Sequence, residues 1–314
     1  MELYMISVVV TAYNDAVIIV ELTRRLKHVL ERLDAEFEVI FVDDGSTDQT
    51  PDIVEGEYEK DSRIKYVQFS RNFGQGIAIR AGFDYAKGDI VVIMDGDLQD
   101  LPEEIPKLVE KIKDGYDVAY GLRIHRKDSI FRRITSWCLR KFLAFNIRKG
   151  DMPRGDDQML VGVFRAMNRS MVSALKNLPE HTAYVQGLIR WVGFQQVTVQ
   201  VEHGKRFYGE SKYNLRGLLR YATDGIIATT TYPLRFATYL GFVIAVASFA
   251  VGVYEVVYRV LFGTIAAGFT TLILVVLFLG GVQLCILGIL GEYIGRIYTE
   301  TKDRPLYIIR RLIL

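Results

Sequence analysis

Two stretches without a single charged residue, Phe236 to Tyr254 and Thr264 to Gly291, constrain this 314-residue chain more than any other feature. At about 1.5 Å of rise per residue, each is long enough as a helix to cross a hydrocarbon core of about 30 Å. Both are therefore expected to span a membrane. Half of all residues are hydrophobic, and the excess is concentrated in these runs. Arg216, Arg220 and Arg235 precede the first run, Lys302, Arg304, Arg310 and Arg311 follow the second, and only Arg259 is expected in the loop between them. That asymmetry places both ends in the cytoplasm. The opening "MELYMISVVV" has neither a basic segment nor a small-residue cleavage site, and reads as a first strand instead of a secretory signal. Cys138 and Cys285 lack disulfide spacing, which fits a reducing compartment, and the four histidines are scattered without a zinc or haem motif.

Ahead of the spans, β-rich runs alternate with helical patterns. "ISVVVTAY" precedes a helix at 17–33, "FEVIFVDDG" one at 47–60, "IKYVQFS" one at 76–86 and "DIVVIMDGD" one at 102–113, with "DVAYG" following. Unbroken Val/Ile runs between amphipathic helices predict a mostly parallel sheet covered on both faces, the doubly wound α/β class. Beyond residue 150 a strand is expected at "MLVGVFRAM", helices at 170–178 and 182–192, and a strand at "QQVTVQVEH". From 212 to 231, Leu215, Leu218, Leu219, Ala222 and Ile226 share one helical face, either against an anionic leaflet or against the domain itself.

In such sheets ligands bind beyond the carboxyl ends of the strands, where the acidic clusters of this chain fall. "VVIMDGDLQD" ends a buried strand in Asp95 and Asp97, with Gln99 close behind. One carboxylate can lie near a ribose while the next holds a hard divalent cation, Mg2+ or Mn2+, whose remaining ligands are substrate phosphates and water. In "VDDGSTDQT", Asp43 and Asp44 are read as ligands of a nucleotide base or ribose, and Thr47 and Asp48 as a helix cap. The first strand-to-helix turn, "TAYND", contains neither a Walker loop nor a GxGxxG fingerprint, which argues against a kinase or a nicotinamide dehydrogenase. Between Arg123 and Lys149 there are nine Lys or Arg residues and one acid, Asp128, interleaved with Phe131, Trp137, Phe142 and Phe145. This stretch suits an acceptor phosphate at a lipid surface better than nucleic acid, although Arg140, Lys141, Arg148 and Lys149 equally fit a solvated helix face.

"VVVTAYND", "VDDGSTDQT", the run from "RNFGQG" through "MDGDLQD" to "VAYGLR", and "KRFYGESKYNLRGLLRYATDGI" together resemble glycosyltransferase family 2. Within it they resemble the polyprenyl-phosphate glycosyltransferases, the dolichyl-phosphate mannose synthases and the bactoprenol glucosyltransferases of the GtrB type. The resemblance implies a GT-A catalytic domain at 1–210, an amphipathic juxtamembrane helix at 211–232, two transmembrane helices at 233–292 and a cytoplasmic tail at 293–314. It implies inverting transfer of a sugar, best read as glucose from UDP-glucose, to polyprenyl phosphate on the cytoplasmic leaflet of the plasma membrane.

By motif match, Thr11, Tyr13, Asp15 and Asp44 would hold the nucleotide, with Asp95 at its ribose side, and Asp97 with Gln99 would hold the metal. Arg206, Ser211 and Lys212 would close over the donor phosphates, and Arg123 and Arg133 would bind the acceptor phosphate. Many relatives carry an acid directly before a Phe-Arg pair, where this chain has Val163 before Phe164 and Arg165. Asp157, in "PRGDDQML", either reaches the acceptor from its loop or lies in a solvated turn. A strong base is dispensable, because a phosphate monoester with a second pKa near 6 is largely ionised at neutral pH.

Two other readings compete. Processive polysaccharide synthases share the donor-binding half, but "QGLIRW" sets Gln186 and Arg190 one residue further apart than their Gln-x-x-Arg-Trp motif, and two spans do not line a polymer channel in one subunit. An inactive membrane scaffold would have little reason to retain a full set of acids and arginines. Small residues in the second span, Gly280, Gly281, Gly288 and Gly291, suit packing into a homo-oligomer.

Overall fold

The computed structural model describes residues 4–123, 162–180, 185–204, 231–263 and 269–314. The chain forms two units, one of Met1–Ala228 with Pro305–Leu314, the other of Thr229–Arg304.

The first unit is built on an eight-stranded sheet. Its strands are β1 (Met5–Ala12), β2 (Glu36–Asp43), β3 (Ile64–Phe69), β4 (Ile90–Asp95), β5 (Val118–Arg123), β6 (Arg165–Asn168), β7 (Gln196–Val201) and β8 (Ile309–Ile313), in the order β7-β5-β6-β4-β1-β2-β3-β8. β1 runs parallel to β2 and β4, β2 to β3, and β5 to β7, whereas β6 and β8 pair antiparallel with their neighbours. Helices α1 (Ala16–Leu30), α2 (Thr50–Lys60), α3 (Gln75–Tyr85) and α4 (Ile105–Lys113) connect the early strands, and α5 (Arg169–Lys176) and α6 (Val185–Trp191) follow β6.

The valine run of β1 has no polar face because helices cover both sides. Val8 and Val10 join a core with Leu22 and Leu26 of α1 and Leu108 of α4, while Val9 joins another with Ile79 and Phe83 of α3 and Met171 of α5. α1 buries Ile18, Ile19, Leu22, Leu26 and Val29, the i, i+4 and i+7 spacing of a single helical stripe. Truncating Leu22, which is fully buried, to Ala would cost about 2–5 kcal/mol. α5 begins at Asn168, whose side chain accepts the Met171 N–H at 2.8 Å.

After β3 the chain crosses back to place β4 on the other side of β1, so the strand order reverses between β1 and β4. This crevice is where an open α/β sheet binds ligands. Thr11 pairs in register with Asp95, and Ala12 with Asp43, so the "TAYND", "DDG" and "DGD" turns leave one edge side by side.

The second unit is a pair of long helices, α7 (Tyr232–Phe262) and α8 (Phe269–Thr301). By length and composition, Pro233–Tyr254 and Phe278–Thr301 are candidate membrane spans. Their large apolar side chains, Phe242, Phe249 and Leu284 among them, are exposed in the isolated chain, as expected of surfaces solvated by lipid. At Gly241 an added Cβ would touch Ile286 Cδ1 at 3.9 Å, so the two helices meet there.

Three expectations change. Arg259 lies inside α7 and not in a connecting loop, because the helix continues past the charge-free run. The tail expected at 293–314 contains the last turns of α8 and then a strand, β8, paired with β3. α2 starts at Thr50, and Thr47 is not its cap.

Candidate active site at the β1–β4 crevice

The "DGD" turn follows β4 with Leu98 in a left-handed conformation, φ 57°, unusual for leucine and held here by a side chain only 2% exposed. Along the turn Gly96, Leu98 and Asp100 are buried while Asp95, Asp97 and Gln99 are half-buried, so the three expected metal ligands are the ones that face outward. Asp97 Oδ1 accepts the Gln99 backbone N–H at 3.1 Å. Two carboxylates and an amide oxygen on one short turn are the hard donors that Mg2+ or Mn2+ prefers. Such a set would make up part of a coordination shell at most; among the described residues no three His, Cys, Asp or Glu side chains cluster to enclose an ion.

Asp95 is positioned from two directions. Thr11 Oγ1 donates to its Oδ1 at 3.4 Å, and the Gln75 side-chain amide donates to the same oxygen at 2.5 Å. The first turn is braced locally: Tyr13 N–H donates to Asp15 Oδ2 at 3.0 Å, Asn14 N–H to Ser46 Oγ at 2.8 Å, and Asp15 N–H to Thr50 Oγ1 at 3.0 Å. Asn14 takes φ 55°, a region its short polar side chain tolerates. Thr47 donates its N–H to Asn14 Oδ1 at 2.9 Å, and Asp48 receives the N–H groups of Thr50 and Ala16, so these residues tie the β1 and β2 turns together.

The two adjacent aspartates of the second turn separate. Asp43 is fully buried, with Oδ1 accepting from Ser46 N–H at 2.8 Å and Oδ2 from the Tyr66 hydroxyl at 2.6 Å, so it is a structural strut and not the ligand contact expected of it. Asp44 receives the backbone N–H groups of Phe73 at 2.6 Å and Gly74 at 2.9 Å. Burial pushes its carboxyl above the ordinary range, opposed by those two donors and reinforced by Asp43 beside it. Gly45, at φ 73°, lies so close to the β3–α3 loop that a Cβ would come within 2.4 Å of the Arg71 backbone.

Gln75 and the loop before it were not singled out from sequence. "RNFGQG" carries no charge pattern that marks a site, but it follows a parallel strand at the ligand edge, which is the signal that would have found it.

Arg206, Ser211, Lys212, Arg133 and Asp157 lie outside the described residues, as does the amphipathic segment up to residue 230. Arg123 ends β5, and its side chain is likewise not described. Gly204, two residues before Arg206, is described: its N–H donates to Gln99 O at 3.0 Å, and a Cβ there would come within 2.5 Å of Leu98 O. Gly204 is therefore packed against the "DGD" turn. Val163 and Phe164 are buried, and the Arg165 guanidinium donates to the carbonyls of Val163 and Gly162 and lies over the Tyr120 ring. Gln186 and Arg190 of the synthase-like motif are both buried within α6.

Comparison with known proteins follows the same division of the chain. The family model for glycosyl transferase family 2 matches residues 7–176, and the model for the GtrB C-terminal hairpin matches residues 232–297. An uncharacterized glycosyltransferase, YkcC, of Bacillus subtilis (strain 168) is 40% identical, over 97% of this chain and 93% of its own. The bactoprenol glucosyl transferase of Shigella phage SfII is 38% identical, over 98% of this chain and 97% of its own. Among solved structures, the glucosyl-3-phosphoglycerate synthase of Mycobacterium tuberculosis in complex with Mn2+, UDP-glucose and phosphoglyceric acid shares the fold, with TM-score 0.52 and 21% identity over 71% of this chain and 78% of that one.

Proposed function

The chain belongs to glycosyltransferase family 2, and from that premise we propose that it transfers glucose from UDP-glucose to polyprenyl phosphate at the cytoplasmic face of a membrane. The observation that carries this reading is the likeness to bactoprenol glucosyl transferases, which runs through catalytic domain and hairpin alike. Both ends of the helical pair join the same catalytic unit, so two crossings return the chain to the side it left. The flanking arginines and lysines support the cytoplasm as that side. A second copy would pack on the α8 glycines Gly280, Gly281, Gly288 and Gly291, where an added Cβ meets nothing within 4 Å.

In this reading Thr11, Tyr13, Asp15 and Asp44 line the nucleotide pocket, and Asp95, aimed by Thr11 and Gln75, receives the ribose. A divalent ion held by Asp97 and Gln99, with Asp95 alongside, would neutralise the donor diphosphate. Arg206, Ser211 and Lys212, which follow Gly204 in the sequence, close over that diphosphate. Arg123 and Arg133 grip the acceptor phosphate, which must approach the donor although like charges at about 4 Å repel by roughly 4 kcal/mol at an effective dielectric near 20. Once the two are close, an acceptor oxygen attacks the anomeric carbon, the bond from that carbon to the diphosphate oxygen breaks, and the electron pair leaves with UDP. The attacking oxygen is already largely ionised, so Asp157 orients the acceptor and need not remove a proton.

Membranes containing the protein, given undecaprenyl phosphate and a panel of radiolabelled nucleotide sugars, test this directly. One labelled lipid that appears with UDP-glucose and requires a divalent ion supports the reading. A product carrying several sugars, or label only from another donor, would replace it.

A further inference from the structure

The chain that leaves α8 does not end at the membrane helix. It turns at Asp303, in a left-handed conformation, and runs along the outer edge of the sheet as a strap. Tyr307 stacks on Phe69 with ring centroids 4.9 Å apart, and its hydroxyl donates to Asp84 Oδ2 on α3 at 2.7 Å. Ser70 N–H donates to Ile308 O at 2.8 Å, after which β8 pairs with β3 and Arg311 reaches Glu55 on α2 at 2.7 Å.

Phe69 ends β3, and Ser70 begins the loop that leads to the donor pocket. Phe69 meets Phe73 edge to face at 5.7 Å, and the Arg71 guanidinium covers the other partner at 3.9 Å from the Phe73 ring centre. Phe73 and Gly74 give their N–H groups to Asp44, and Gln75 gives its amide to Asp95. The loop is thus bracketed, by the strap at its start and by two site carboxylates at its end.

We propose that Tyr307 is a positioning residue for the donor site, holding the 70–75 loop in the conformation that aims Asp44 and Asp95. The proposal rests on the reading above that these two carboxylates face the nucleotide. Its physical basis is that apparent affinity falls with the fraction of molecules whose site is competent. An aromatic stack and a hydrogen bond together are enough to change that fraction by roughly tenfold. Because the strap directly continues α8, the segment that secures the donor loop is the one that emerges from the membrane hairpin.

The experiment uses the full chain in detergent or nanodiscs, measuring equilibrium binding of UDP-glucose with Mn2+ and, separately, the KM for polyprenyl phosphate. Tyr307→Ala is expected to weaken donor binding roughly tenfold while leaving the acceptor KM within about twofold, and Tyr307→Phe, which keeps the stack, to recover most of the loss. If Tyr307→Ala does not fold, Asp84→Ala is read instead, with a loss of about threefold expected. Arg311→Ala loosens the far end of the strap and should leave donor affinity unchanged; an equal loss there would overturn the assignment to Tyr307. Donor binding within twofold of the parent in folded Tyr307→Ala would overturn it as well. Undiminished donor binding in Asp95→Ala would instead sink the reading of the site on which the inference stands.

Discussion

The side-chain amide of Gln75, at the start of α3, donates to Asp95 Oδ1, at the end of β4, across 20 positions of sequence. A hydrogen bond to a charged group contributes about 1.5–3 kcal/mol, so Gln75→Ala is expected to lower kcat/KM for the nucleotide sugar by roughly tenfold or more. Initial rates at varied UDP-glucose measure this. An unchanged kcat/KM would show that Asp95 needs no aim from α3.

Asp97→Ala is expected to abolish transfer while leaving the fold intact, since the half-buried carboxylate contributes to no core. Thin-layer separation of labelled lipid, beside a thermal melt, provides both readouts. Near-normal turnover would remove the metal role from Asp97.

Gly45→Ala would force a Cβ into the Arg71 backbone at a residue with φ 73°. Backbone cannot yield as a flexible side chain can, so a loss of roughly 2 kcal/mol or more in stability is expected, with weaker donor binding because the same turn carries Asp44. Equilibrium unfolding of the variant checks the first part and nucleotide titration the second.

Glu38 and Lys65 form an ion pair at the far end of the strands from the site, with the Ser7 hydroxyl donating to Glu38 at 2.5 Å and Lys87 N–H at 2.7 Å. Removing one partner strands a buried charge, so Lys65→Met is expected to cost about 3–5 kcal/mol. The double change with Glu38→Gln should recover part of that loss. A double-mutant cycle in denaturant measures the coupling, and additive losses would refute it.

Acid should weaken the turn between α2 and β3. The Arg63 fork donates to Asp61 at 2.9 and 2.8 Å and Lys27 approaches at 2.6 Å, and the Arg63 hydrogen bonds, ahead of the opposing effect of burial, hold the Asp61 carboxyl well below the ordinary range. A carboxylate whose folded pKa is depressed contributes its full stability above the unfolded value, near 3.9, and loses it as pH falls toward the folded value. Asp61→Asn should therefore cost about 1 kcal/mol at neutral pH, a modest figure because water screens the exposed side of Arg63, and progressively less below pH 4. The gap between the melting curves of parent and variant should be narrower at pH 3 than at pH 7 without closing, because the folded carboxyl titrates below pH 3.

The place of the candidate site in the fold is legible in the sequence. Asp95, Asp97 and Gln99 follow a Val/Ile run that reads as a strand covered on both faces, and the end of such a strand is where a doubly wound sheet binds ligands. Asp43 and Asp44 were not separable in the same way. In a strand with two apolar faces the alternation carries no phase, so whether Asp43 turns toward Tyr66 or toward a ligand is set by packing alone. Gln75 was silent because a neutral amide in a loop has no pattern of its own.

The sequence by itself determined the order of strands and helices ahead of the spans, the two apolar spans and the edge at which carboxylates gather, because periodicity and charge-free length are local properties of the chain. Only the tertiary structure decided that Asp43 is a strut, that Gln75 aims Asp95, and that the residues after the second span return as β8 to lie along β3. Those are pairings between distant segments. They follow from which surfaces must be buried together, and no short window of sequence contains both partners.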